Sequence, residues 1–333
     1  MTENRAKPVS PGNTVVGLVG LGDMGAAMAK SILRHFPLVA FDLRPEPVEK
    51  MVALGARRAD SLQSVADQCE VVILVVLNDK QVKQVIGDIL SHPGKVHTII
   101  VSSTVQADSV ITLDEQVRKA GLNLIDAPVN GGAEKASAGT ISVLIGGEEA
   151  AVQRCWPVFQ SFGKNLFHLG PIGAGSAGKL LNTMLAVGNN MLVIEAMQFA
   201  EAFGISEDKV EEFISVGTGD SFIMRTWGRF DRMRRTHPTL GGTPAMYELF
   251  SKDIKNAVVT AGRRGLVLPI VASISAMVIE KAMARDKYRE EHNMNGPAPL
   301  CRVCQFELAS PFRKAGIHPD CALEEMGHSV RSS

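Results

Sequence analysis

The chain has 333 residues, enough for two ordinary domains, and at this length folding buries about three quarters of the unfolded surface without covalent staples. Apolar residues are 45%, charged residues 21% and mean hydropathy is +0.09, which excludes a disordered chain. Thirty-five Lys and Arg balance 35 Asp and Glu, which argues against a dedicated nucleic-acid binder.

Residues 14–19 (TVVGLV) are β-branched and apolar, as a buried strand requires. Further strands are predicted at 38–42, 70–77, 98–101, 122–125, 141–145 and 165–169. Continuous apolar strands of this kind belong in a parallel sheet covered on both faces. Between them the apolar residues take helical spacing, as in Met24, Met28 and Ile32. The series is βαβ, which predicts a doubly wound α/β domain over residues 13–173. Beyond 173 the strand patterns end. Residues 176–203 form one long helical segment, apolar over much of its circumference, and therefore expected to be buried. Gly204 stops it, and more helices are predicted at 208–215, 246–262 and 271–285. An all-α domain over 174–330, joined through the long helix, follows. Residues 236–244 and 292–299 are rich in Gly and Pro and read as loops.

Gly20-Leu21-Gly22-Asp23-Met24-Gly25 follows the first strand and opens a helix. Gly20 permits the turn, Gly22 lets backbone approach a pyrophosphate, and Gly25 lets helix and strand pack closely. The spacing alone is weak, but the strand before it, the helix after it and Asp42 at the end of the second strand supply the context of a dinucleotide site. Asp42 is expected to accept the adenosine ribose hydroxyls and to repel a 2′-phosphate, favouring NAD. Arg44 is either a solvated charge or a group that turns toward a 2′-phosphate, so NADP stays possible.

Four stretches go beyond a generic dinucleotide fold: residues 17–33 (GLVGLGDMGAAMAKSIL), 126–147 (DAPVNGGAEKASAGTISVLIGG), 173–184 (GAGSAGKLLNTM), and 250–257 (FSKDIKNA) followed by GLVLP. In order and spacing the chain resembles the β-hydroxyacid dehydrogenase family, over most of its length. The resemblance implies a Rossmann domain and a helical domain, and hydride transfer between NAD(P) and a small 3-hydroxy acid or its semialdehyde. It implies that Lys179 is the general acid/base, and burial among apolar residues is expected to lower its pKa. It implies that Asn130, where the family usually has Ser, holds the substrate carboxylate with the N–H groups of Gly131 and Gly132. The family usually has Asn four residues after the lysine; here Thr183 stands there and Asn182 at i+3. Both share the lysine's helix face, and Asn182 is the choice for the substrate hydroxyl. Thr104, Lys252 and Asn78 match positions beside cofactor or substrate. A homodimer or homotetramer is expected, because the apolar long helix needs more cover than one chain provides. Rival readings are an imine reductase on the same fold and a non-enzymatic NAD(P)-binding protein; retained Lys179 argues against both.

Other signals point elsewhere. Cys301, Cys304, His318 and Cys321 look like zinc ligands, but residues 316–322 (GIHPDCA) resemble the family's terminal pattern, with Cys321 where it has Ser, and Cys301 and Cys304 fit one helix face as small buried hydrophobes, so no metal is expected. Five cysteines, few and odd in number, read as free thiols of a reducing compartment. No run of 18 uninterrupted apolar residues predicts a membrane span, and residues 1–12 read as neither signal nor transit peptide, so a cytoplasmic location is expected. Arg225, Arg229, Arg232, Arg234 and Arg235 read as a solvated helix face, or else as a group that recognises an anionic substrate or a partner subunit. Residues 284–299 read as an insertion.

Overall fold

The computed structural model describes residues 9–228, 231, 239–240 and 243–292. Alternate residues of its central strands face opposite ways, and both sides are apolar. Val16 and Leu18 of β1 (Val16–Val19) enter one core cluster, and Val19 enters another. Val71 and Ile73 of β4 (Val71–Leu74) separate from Val72 and Leu74 in the same way. A strand buried on both faces has no polar side, so it reads as an unbroken apolar run.

The strands between these and their flanks are β2 (Leu38–Phe41), β3 (Arg57–Arg58), β5 (Thr98–Val101), β6 (Asn123–Asp126), β7 (Val129–Asn130), β8 (Ile141–Gly146) and β9 (Gly163–Gly170). The sheet order is β3-β2-β1-β4-β5-β6-β8-β7, with β9 on β8. The first six strands pair in parallel, but β8 runs antiparallel to β6 and β7. The apolar pattern did not foresee that reversal. Only residues 131–140 remain between β7 and β8, too few for the crossover that a parallel pair needs. Nor did it show β3 and β7, which at two residues each carry no periodicity.

In register, Val19 lies opposite Phe41 and Leu74, Leu74 opposite Val101, and Val101 opposite Asp126. The carboxyl ends of β2, β1, β4, β5 and β6 therefore line one edge. The chain winds outward from β1 in one direction through β2 and β3, and in the other from β4. Doubly wound sheets bind ligands at the carboxyl ends beside such a reversal.

The helices along the sheet are α1 (Asp23–Ile32), α2 (Pro45–Val52), α3 (Leu62–Gln68), α4 (Asp79–Ser91), α5 (Ala107–Lys119), α6 (Gly132–Ala138) and α7 (Glu149–Gln160). α8 (Ala174–Ala202) follows, then α9 (Glu207–Ile214), α10 (Phe222–Arg225), a small hairpin of β10 (Thr239–Leu240) and β11 (Thr243–Pro244), α11 (Ala245–Arg263) and α12 (Pro269–Glu291). The chain divides into two compact units, Met1–Leu181 and Asn182–Ser333. The division falls inside α8 and not at Gly173, because the first turn of that helix is bonded to the sheet.

In the second unit, Met191, Ile194 and Met197 of α8 form a core with Val210, Ile254 and Val278. By length and composition alone α8 is apolar enough to cross a membrane, but half of its most apolar stretch is buried inside the protein. Its composition suggested burial all round, but Leu185, Leu192 and Phe199 are exposed, as is Phe203 just past its end. α12 runs on to Glu291, through residues that read as an insertion. Arg285 there is 4% exposed, bonded to Glu207 and Asp231, with its guanidinium 4.8 Å from the Trp227 ring centre. Charges satisfied this way let a polar sequence continue the buried face of α12, which Ile274, Val278 and Ala282 begin. Arg225 is paired with Asp220, while Arg229, Arg232, Arg234, Arg235 and residues 293–299 lie outside the described residues.

A candidate active site at the carboxyl edge of the sheet

The glycine-rich turn begins where β1 ends. Gly20 N donates to Phe41 O at 2.9 Å, tying the turn to β2. A Cβ on Gly25 would strike the carbonyl oxygen of Gly20, so α1 packs directly on the turn only because position 25 has no side chain. At Gly22 the reverse holds: a Cβ there would meet nothing within 4 Å. Gly22 is the N-cap of α1, and no side chain caps that helix. An open helix start of this kind suits a phosphate, through N–H groups and the helix dipole. Of the other turn residues, Leu21 is buried, Met24 packs against the core and Asp23 is exposed.

Asp42 follows β2. Its Oδ2 accepts from Leu21 N at 2.7 Å, and its Oδ1 accepts from Arg44 N at 2.9 Å and Arg44 Nε at 3.1 Å. Burial pushes the Asp42 carboxyl up, but Arg44 and the Leu21 N–H outweigh it and hold it below the usual carboxylate range. Asp42 in turn raises Arg44. Arg44 thus pairs with Asp42 and does not stand off as an isolated surface charge. Asn78, past β4, caps α4: its Oδ1 accepts from Gln81 N at 3.0 Å. Ser103, past β5, accepts from Val76 N at 2.8 Å and so joins two strand exits beside Thr104, which is half-buried.

Next along the edge, β6 ends at Asp126, and the chain runs through β7 to Asn130, Gly131 and Gly132. Both glycines are exposed, with φ of 136° and 83°. Lys179, in the second turn of α8, reaches back to this segment. Its Nζ donates to Asn130 Oδ1 at 2.6 Å and to Val129 O at 3.1 Å. The ammonium is part-buried, and these partners are polar, unlike the apolar surroundings its helix suggested. One turn earlier, the Asp126 carboxylate accepts from Gly173 N at 2.8 Å and Ser176 N at 2.5 Å. Burial pushes its carboxyl up against the opposing pull of those N–H groups.

Residues 15–170 match the family model for the NAD-binding domain of 6-phosphogluconate dehydrogenase. Residues 173–296 match that for the NAD-binding region of NADP-dependent 3-hydroxyisobutyrate dehydrogenase. The 2-(hydroxymethyl)glutarate dehydrogenase of Eubacterium barkeri is 31% identical over 83% of this chain and 91% of its own length. The chain belongs to the β-hydroxyacid dehydrogenase family. A 3-hydroxyisobutyrate dehydrogenase of Pseudomonas aeruginosa, 30% identical over the same shares of both chains, is a second relative. The solved 3-hydroxyisobutyrate dehydrogenase of Salmonella typhimurium is 27% identical, with a TM-score of 0.66 over 91% of this chain and all of that one.

As a β-hydroxyacid dehydrogenase the protein is an NAD(P)-binding oxidoreductase. The open Gly22 and the uncapped start of α1 fit that cofactor. The first unit brings Lys179 together with Asn130, and Asp42 together with the glycine-rich turn. Asn182 and Lys252 belong to the second unit. Asn182 is exposed, whereas Thr183 beside it is buried. Lys252, on α11, is half-buried with its Nζ 3.3 Å from Asp253 Oδ1.

Two features escaped sequence reasoning. Leu43 and Leu77 are 89% and 63% exposed, one just past β2 and one just past β4, on the two strands that flank β1. Asp126 was read only as part of a motif. Its signal was a carboxylate directly after the apolar pair Leu124 and Ile125 at the end of a strand. Cys69 and Cys155 are buried, and burial pushes both thiols up to about 12. Among the described residues no His, Cys, Asp and Glu group is placed to hold a metal; Cys301, Cys304, His318 and Cys321 lie outside them.

Proposed function

We propose that the protein interconverts a small 3-hydroxy acid and its semialdehyde, with Lys179 as the group that moves the hydroxyl proton. The observation that supports this reading is the contact of Lys179 Nζ with Asn130 Oδ1 and Val129 O at the carboxyl edge of the sheet. Oxidation of the alcohol removes a hydride from carbon and a proton from oxygen. The nicotinamide cofactor supplies the hydride acceptor when bound. Lys179, as the free amine, takes the proton from oxygen; in the reverse direction its ammonium returns it. Asn130 uses its amide oxygen on Lys179, which turns its NH₂ group to donate to the substrate carboxylate beside the Gly131 and Gly132 N–H groups.

Gly20, Leu21, Gly22, Asp23, Met24 and Gly25 hold the cofactor pyrophosphate. Asp42 accepts its ribose hydroxyls and favours NAD over NADP. Leu43 and Leu77 offer apolar walls for the adenine. A small 3-hydroxy acid is the substrate class of the relatives named 3-hydroxyisobutyrate dehydrogenase. The exposed stripe of α8 supports a homodimer or a homotetramer, and the working location is the cytosol.

The test is a turnover panel followed by absorbance of the reduced cofactor. It covers 3-hydroxyisobutyrate, 3-hydroxypropionate, L-serine and a cyclic imine, each with NAD(H) and NADP(H). Oxidation of a 3-hydroxy acid with NAD, and no reduction of the imine, is expected. Lys179→Met should lower kcat by ~10²–10⁴-fold and leave NAD affinity unchanged. Undiminished turnover in that variant, with normal NAD affinity, would assign the proton to another residue.

A further inference from the structure

The Asp126 carboxylate is wholly buried, and neither of its backbone partners belongs to its own strand. Gly173 O accepts from Ala177 N, which makes Gly173 the N-cap of α8. Gly173 has no side chain, so the helix has no cap of its own. Asp126, on β6, takes the N–H groups of Gly173 and of Ser176, the cap and the third helical residue. In a capping box two side chains of the helix itself divide those donors. Here one carboxylate from a strand takes both.

The consequence reaches Lys179. Ser176 and Lys179 are three residues apart on one helix face. Asp126 and Asn130 are four residues apart on the strand side. The same two segments therefore meet twice, first at the carboxylate and one turn later at the lysine. The first contact leaves little play in the second, because a Cβ on Gly175 would lie 2.6 Å from Asp126 O. We propose that Asp126 is a positioning residue for Lys179: by capping α8 from the end of β6 it sets where the ammonium meets Asn130 and Val129.

The inference rests on the proton-moving role given to Lys179 above, and the experiment separates the two. Asp126→Asn keeps the shape but turns an NH₂ donor toward one of the two N–H groups. The assay uses 3-hydroxyisobutyrate, with and without deuterium on the carbinol carbon. A displacement of about 1 Å costs on the order of 10²-fold in rate. Asp126→Asn should lower kcat by ~10–100-fold, move KM and NAD affinity less than about threefold, and raise the deuterium isotope effect on kcat as chemistry becomes limiting. A residue that only holds the fold together would move the melting temperature and leave the isotope effect alone.

The double variant Asp126→Asn/Lys179→Met should be no slower than Lys179→Met, because Asp126 acts through the lysine. Multiplicative losses, or a wild-type kcat in Asp126→Asn, would overturn the proposal. If Lys179→Met by itself keeps its turnover, it is the reading of Lys179 that fails. Asp126→Ser, smaller and still an acceptor for one N–H, should show an intermediate loss of kcat. It carries the same test if the Asn variant does not fold.

Discussion

Asp42 joins the glycine-rich turn to the end of β2 through Leu21 N, and it pairs with Arg44. Both roles depend on its charge. Asp42→Asn should weaken NAD binding by about tenfold or more, as hydrogen bonds to a charged group are worth ~1.5–3 kcal/mol, and should improve NADP relative to NAD. Titration of both cofactors checks this; unchanged selectivity would remove Asp42 from the ribose. The same variant has a pH signature. The folded protein holds the Asp42 carboxyl below its usual range, so its contribution to stability is present above the ordinary value of ~3.9 and is lost as pH falls through the lower, folded one. The melting-temperature gap between wild type and Asp42→Asn should therefore be widest at neutral pH and shrink below about pH 4. A gap that grew in acid would contradict the assigned direction. Asp42 was legible in the sequence because a fixed distance from a glycine motif marks it. Asp126 was not, since its partners lie 47 and 50 residues away along the chain.

At the scale of the element, α1 and α8 start in opposite ways. α1 is left uncapped over open space, as a phosphate site needs. α8 is capped from another element and carries a side chain that must be placed. Gly25 separates packing from binding in α1. In Gly25→Ala the new methyl overlaps the carbonyl oxygen of Gly20, and such overpacking costs ~1–3 kcal/mol. The helix start should move off the turn, with a lower melting temperature and an NAD dissociation constant raised at least tenfold. Fluorescence titration and thermal denaturation measure the two; full NAD affinity would show that the turn does not hold the pyrophosphate.

For the whole molecule, Leu185, Leu192 and Phe199 lie seven residues apart along α8, on a single stripe, and Phe203 follows four residues on, just past the helix end. Contiguous exposed apolar surface of this kind commonly marks an interaction site. With a second copy as its occupant, Leu192→Glu/Phe199→Glu should shift the species seen by sedimentation from a multiple of 35.7 kDa toward that mass itself. A wild-type chain that sediments at 35.7 kDa would rule the dimer out.

Local chemistry alone determined the doubly wound sheet, the long helix after it and the open turn at Gly20–Gly25, while Lys179 was marked by the resemblance of its motif to the family's. Each depends on a period, a glycine spacing or a motif that stays within a few dozen residues of chain. The antiparallel turn of β8, the two-residue strands, the buried Arg285 and the two-point seam between β6 and α8 were decided only by tertiary structure. Strand direction depends on what the connection has room for. A buried charge depends on partners brought from far along the chain, as Glu207 and Asp231 are to Arg285. The contact of Lys179 with Asn130 spans 49 residues of sequence, and no periodicity reports a distance that only the folded chain makes short.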